Sequence, residues 1–165
     1  DMIESEFIIL GGDKNISKKV ESFYRDFTNC EAENFIFTDP VSASLIKYTI
    51  NSFLATKVTF FNEIYDIFNK SKSDETWENF IKFVSADKRI GDSHMDVPGH
   101  DGRRGFGGAC FPKDMSALER FGSDLNVSTN IIKKVVEIND QTRGQYSKIR
   151  SREKDQNIFF NEDSE

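Results

Sequence analysis

Cys110 is the residue most suited to chemistry. Gly105, Gly107 and Gly108 precede it, and Phe111-Pro112-Lys113-Asp114 follows it. Glycines let a backbone take conformations closed to other residues and let a ligand approach closely. Pro112 suits the first turn of a helix, where its missing N–H costs nothing. The helix is predicted to run on through Arg120 and stop near Gly122, which reads as its C-cap. Cys110 then falls at or just before a helix N-terminus, where unpaired N–H groups and the helix dipole favour a thiolate. Lys113 adds a positive charge nearby. These are the ingredients of a nucleophilic cysteine. A buried cysteine beside a glycine turn is the plainer alternative, and the position between glycine loop and helix start favours the nucleophile.

Other polar residues stand at suggestive spacings. Lys47 and Asn51 are four apart in a helical pattern, so they share a face. They read equally as a functional pair or as a satisfied polar pair at a helix edge. His94 and His100 occur in a glycine- and charge-rich loop, Asp92 to Arg104, of a length that is usually functional or disordered. No further Cys or His lies at ligand spacing, so they read as loop residues and no metal site is expected. A thiol-protease pairing of His94 with Cys110 has no third group to orient it.

The elements that must position these residues follow from periodicity. Phe7-Ile8-Ile9-Leu10, ended by Gly11-Gly12, reads as a buried strand. Asp13 or Asn15 can cap a helix over Lys14–Thr28, and Phe35-Ile36-Phe37 is a second strand. This is a βαβ unit with a right-handed crossover. Two strands do not make a stable sheet alone, so the unit reads as the edge of a larger parallel sheet. From Val41 to Lys70 no Gly or Pro interrupts a helix of about 45 Å. It is apolar on nearly every side and therefore needs several packing partners. A second copy of the chain, packed symmetrically along helix 41–70, is the expected one. An amphipathic helix is predicted over Ser73–Ser85, a turn at Asp87–Gly91, and a further helix capped by Ser128 or Thr129 that reaches Tyr146 or Ile149. From Ser147 the chain turns polar, and the acidic end at 161–165 is expected to fray.

Composition narrows the class. The 165 residues carry 37% apolar residues, low for a core, but sixteen Phe supply bulk. A net charge of −6 argues against a nucleic-acid footprint. No apolar run approaches the ~20 residues of a membrane span, and the first residues do not read as a signal peptide. Two cysteines far apart, Cys30 and Cys110, make no disulfide framework. A reducing, cytoplasmic setting is expected.

Several ordered motifs together resemble the UDP-glucose/GDP-mannose dehydrogenase family. Gly107-Gly108-Ala109-Cys110-Phe111-Pro112-Lys113-Asp114 is similar to its active-site motif. Lys47-Tyr48-Thr49-Ile50-Asn51-Ser52-Phe53-Leu54-Ala55-Thr56-Lys57-Val58 is similar to the start of its long central helix, and Phe61-Asn62-Glu63 to the continuation. Asp87-Lys88-Arg89-Ile90-Gly91 and Val97-Pro98-Gly99 recur in the same order. The cysteine motif leans towards the UDP-glucose branch. The resemblance implies oxidation of a nucleotide-sugar C6 alcohol to a carboxylate by two NAD molecules in succession, through a thiol-bound intermediate. It assigns Cys110 as nucleophile, Lys47 to oxyanion stabilisation, Asn51 to a hydrogen bond or a catalytic water, and Asp114 to proton transfer. Gly105, Phe106, Gly107, Gly108 and Lys113 would line the substrate pocket, and Arg89 would reach a neighbouring subunit's nucleotide sugar.

The family's Gly-x-Gly-x-x-Gly fingerprint for NAD has no counterpart here. The resemblance therefore implies a mostly α chain: a βαβ remnant of a Rossmann-like NAD domain at 1–39, a central helical dimerisation and catalytic domain at 40–150, and a polar tail or linker at 151–165 towards a third domain. A non-catalytic dimerisation module that keeps the motifs by descent is the rival reading, with GDP-mannose as the alternative substrate and an unrelated Cys-dependent hydrolase as a third.

Overall fold

The computed structural model describes residues 5–146 and 150–160. The expectations placed on residues 1–4, Ile149 and the acidic end at 161–165 lie outside these. The chain is mostly α, with one two-stranded parallel sheet among the described residues, and divides into two compact units, Asp1–Thr49 and Ile50–Glu165.

The first unit opens with β1 (Phe7–Gly11), α1 (Lys14–Phe27) and β2 (Asn34–Thr38). The strands run parallel in the register Phe7 to Asn34 through Gly11 to Thr38, which a crossover helix makes possible. Asp13 caps α1 by accepting hydrogen bonds from the amides of Asn15 (2.9 Å) and Ile16 (3.1 Å). Arg25 then lies over the Phe35 ring, 4.6 Å from its centroid. Gly11 ends β1 where nothing larger fits, because a Cβ there would meet the Cβ of Ala43 at 2.6 Å.

The helix α2 (Pro40–Lys70) begins in this unit and continues into the second. Asp39 accepts from the amides of Val41 (2.9 Å) and Ser42 (3.0 Å), and Pro40 occupies the first helical position. Ala55 and Phe61 are buried on α2, yet Ile50, Phe53, Phe60 and Ile67 remain exposed. The three residues 53, 60 and 67 recur every seven positions, which keeps them on one stripe.

The second unit adds α3 (Trp77–Ser85), α4 (Cys110–Asp124), α5 (Asn130–Gly144) and α6 (Ser151–Asp155). It holds two apolar clusters. One gathers Ala55, Phe106, Met115 and Val135. The other gathers Phe61, Trp77, Met95 and Val97, with the Trp77 ring 5.0 Å from Tyr65 and stacked on Phe80 at 5.5 Å. None of the helices among the described residues is long and apolar enough to cross a membrane.

Three local expectations need correction. The helix predicted from Ser73 starts at Trp77: Ser73 accepts from the Glu75 amide in a local turn, and Thr76 is the extended cap that accepts from Asn79. Gly122 does not cap α4. The helix runs past it to Asp124, and Asn126 takes the left-handed conformation (φ 58°) instead. Gly122 is buried, and a Cβ there would come within 2.5 Å of Thr129 Cγ2. Finally, α6 forms within the stretch read from sequence as polar tail.

Gly122→Ala is expected to destabilise the protein by about 1–3 kcal/mol through overpacking against Thr129. A shift of the urea midpoint at unchanged slope would register it.

Candidate active site

Cys110 is exposed and is the first residue of α4. The cap position is held by Ala109, which offers no side-chain acceptor to the first-turn amides. The electropositive end of α4 therefore lies beside the thiol without a capping side chain from Ala109. One turn along α4, Asp114 is 1% exposed and accepts a hydrogen bond from Asn51 Nδ2 at 2.5 Å. The spacing that put Asn51 on one face of α2 thus brings it to the cysteine helix. Lys47 lies in the first unit, with its ammonium 5.2 Å from the centroid of the Tyr48 ring.

The glycine loop is fixed by side chains from three helices. Gly105 N–H donates to Asn62 Oδ1 of α2 (3.2 Å). Phe106 N–H donates to Asn139 Oδ1 of α5 (2.7 Å), and Asn139 Nδ2 returns a bond to Phe106 C=O (3.0 Å). Gly108 N–H donates to Glu153 Oε1 of α6 (3.2 Å). The Phe106 ring sinks into the core, 6.1 Å from the Phe111 ring. Gly105 has φ +73°, and a Cβ there would meet Asn139 Oδ1 at 2.7 Å. At Gly107 a Cβ would collide with Arg143 and Glu153.

Arg143 closes the arrangement. Its guanidinium donates to Asp101 Oδ2 (2.8 Å) and Glu153 Oε1 (2.7 Å), with the arginine side chain fully buried. Burial pushes the Glu153 carboxyl up, but bonds from the Arg150 and Gly108 amides and from Arg143 outweigh it and hold it below the usual carboxylate range. Asp101 is lowered against the same burial penalty by Arg143, the Arg103 amide and Arg150.

Elsewhere in the loop, His94 packs its ring 5.6 Å from Phe111, and its Nδ1 is buried with no hydrogen-bond partner among the described residues. Burial lowers its pKa, and the nearby charges of Lys57 and His100 push the same way, against Asp96. Lys57 anchors the Asp87–Gly91 turn by donating to Ile90 C=O at 2.9 Å. Arg89 in that turn is not drawn into the cysteine network: its side chain is 88% exposed and forks onto Asp87. Lys113 is exposed and, with Phe106, Ser116, Asp140, Phe159 and Phe160, lines a cleft of about 280 Å³.

Sequence reasoning missed Asn139, Arg143 and Glu153. The first two had a signal, since Val135, Asn139 and Arg143 recur every four residues and continue an apolar stripe. Two polar residues on a buried face must be bonded to something. Glu153 had none, because its helix is five residues long amid charged neighbours.

Comparison with known proteins agrees with this architecture. Residues 41–141 match the UDP-glucose/GDP-mannose dehydrogenase family, central domain. A UDP-glucose 6-dehydrogenase of Rickettsia felis is 34% identical over 142 residues, covering 86% of this chain and 30% of the relative. A UDP-glucose 6-dehydrogenase of Bacillus subtilis is 33% identical, covering 85% and 30%. The solved UDP-glucose dehydrogenase of the hyperthermophilic archaeon Pyrobaculum islandicum superposes with TM-score 0.71 at 32% identity, over 86% of this chain and 30% of that one. The chain belongs to the UDP-glucose/GDP-mannose dehydrogenase family. It spans about 30% of the length of these relatives.

In the cleft, burial raises Asp140 from 3.8 to about 6. A raised carboxylate pKa favours the protonated form in the folded state, so its stability contribution is complete below pH 3.8 and lost as pH rises through 6. Asp140→Asn should therefore melt higher than the parent at pH 7.5, and the two should converge below pH 4, as followed by thermal unfolding across that range.

Proposed function

We propose that this chain is the middle section of an NAD-dependent UDP-glucose 6-dehydrogenase, which oxidises the C6 alcohol of UDP-glucose to the carboxylate of UDP-glucuronate. The observation that carries the reading is Cys110, exposed at the uncapped start of α4, with Asp114 one turn on and bonded to Asn51. Cys110 Sγ attacks the C6 aldehyde to form a thiohemiacetal. Later, water attacks the derived thioester and releases the thiol and the carboxylate. Lys47 stabilises negative charge on the C6 oxygen, as an oxyanion-hole donor does. Asp114 accepts a proton from the attacking water, and its bond to Asn51 fixes the direction of the carboxylate. Gly105, Phe106, Gly107, Gly108 and Lys113 form the wall against which the sugar rests.

The oxidations themselves require a nicotinamide dinucleotide. The described residues do not fit one: β1 ends in Gly11, whose open side is filled by Ala43 and Pro40 rather than shaped into a phosphate cradle. No hydride step is assigned to residues of this chain.

The exposed stripe of Phe53, Phe60 and Ile67 supports a homodimer packed along α2. In it the exposed Arg89 would extend to the partner's nucleotide sugar. The stripe serves equally a dimerisation module without activity, so activity decides between the two. Two free thiols suit a reducing cytoplasm.

The test is NADH production from UDP-glucose by the full-length gene product. Cys110→Ala should abolish it, and Lys47→Ala should lower kcat by about 10²–10³-fold. Turnover that survives Cys110→Ala would sink the mechanism, and a gene product ending at these termini without NADH formation would favour the module. Replacing Phe53 and Phe60 together by Glu should convert dimer to monomer in light scattering.

A further inference from the structure

The glycine loop and the cysteine helix lie beside a carboxylate that reaches them from outside the matched central domain. Glu153 is 1% exposed, and Oε1 accepts from both Gly108 N–H and Arg143. Its second oxygen accepts from the Arg150 amide at 3.0 Å. Gly108 is two residues before Cys110, has φ +75°, and has open space where a Cβ would be. Its glycine is needed for conformation alone, so a contact from elsewhere must select that conformation. The same guanidinium that fixes Glu153 also holds Asp101, so one arginine ties both ends of the loop 101–108.

We infer that Glu153 is a positioning residue for the reaction: through its bond to Gly108 N–H it sets the loop that meets the sugar and the direction in which Cys110 leaves α4. This rests on the dehydrogenase reading. The carboxylate touches neither Cys110 nor the sugar and acts through the backbone of Gly108, which it holds by the N–H. Two separable properties follow. The charge acts on the Arg143 guanidinium, whereas the reach of the side chain places Oε1 on both Gly108 N–H and Arg143. Glu153→Gln keeps the length and an acceptor oxygen but removes the charge. Glu153→Asp keeps the charge but draws the oxygen back from the amide.

The experiment compares these two variants with the parent in the full-length gene product, by steady-state kinetics, thermal unfolding and amide hydrogen exchange. For Glu153→Asp we expect the KM for UDP-glucose to rise about tenfold or more, with the KM for NAD unchanged. Glu153→Gln should stay within about threefold of the parent in both. A purely structural salt bridge gives the reverse order, or moves both KM values together with the melting temperature, and either result overturns the inference. If the parent itself forms no NADH, the dehydrogenase reading fails and exchange decides the positioning alone. The Gly108 amide should then exchange at least tenfold faster in Glu153→Asp than in the parent and in Glu153→Gln. Equal rates in all three would overturn it.

Discussion

The second unit depends on one buried cation. The Arg143 side chain has no exposure and is shared between Asp101 and Glu153, while the rings of Tyr146 and Phe160 lie 5.9 and 5.4 Å from its guanidinium carbon. Taking such charges out of water is costly, and their attraction offsets that cost only when the geometry is good and further hydrogen bonds complete the shell. Here the Arg150 and Gly108 amides complete Glu153 and the Arg103 amide completes Asp101, while Arg143 Nε is buried with no hydrogen-bond partner among the described residues. Losing one member of such a set strands the others, at about 3–5 kcal/mol. The arrangement is better understood as specification than as added stability.

What it specifies is a backbone that cannot hold itself. A run of glycines has no side chains to pack, and its conformational freedom is largest in the unfolded chain. The structure supplies the missing anchors from outside: Asn62 on α2 takes the Gly105 amide, Asn139 on α5 takes Phe106, and Glu153 on α6 takes Gly108. Arg104 strengthens the first anchor, reaching Asn62 C=O at 2.9 Å and Asp66 at 2.8 Å. Each acceptor comes from a different helix. The loop is therefore a readout of how those helices pack, and the single ring it buries, Phe106, is held at both its N–H and its C=O.

The parts of this design that were legible in the sequence are those carried by local pattern. The two strands, α1 with its Asp13 cap, the uninterrupted α2 and the start of α4 at Cys110 all follow from periodicity and from turn chemistry. The motif resemblance placed the chain in its family. Local pattern failed where a residue's role depends on a distant partner. Gly122 carries the mark of a helix stop and is instead a packing glycine, because Thr129 folds back over it. Ser73 carries the mark of a helix start and spends its hydroxyl on its own turn. Glu153 is one acid among many in a polar segment, and only the approach of Gly108 and Arg143 singles it out.

The order of these partners along the chain has a consequence during synthesis. Gly108 and its acceptor are 45 residues apart, and Asp101 and Arg143 are 42 apart. The ribosome releases the cysteine loop well before it releases the residues that fix it. Chains fold from the N-terminal end as they emerge, so the loop that leads into Cys110 spends that interval with its ends still untied. The loop takes its anchored geometry only once α6 has emerged, which makes that short helix the step that ties it.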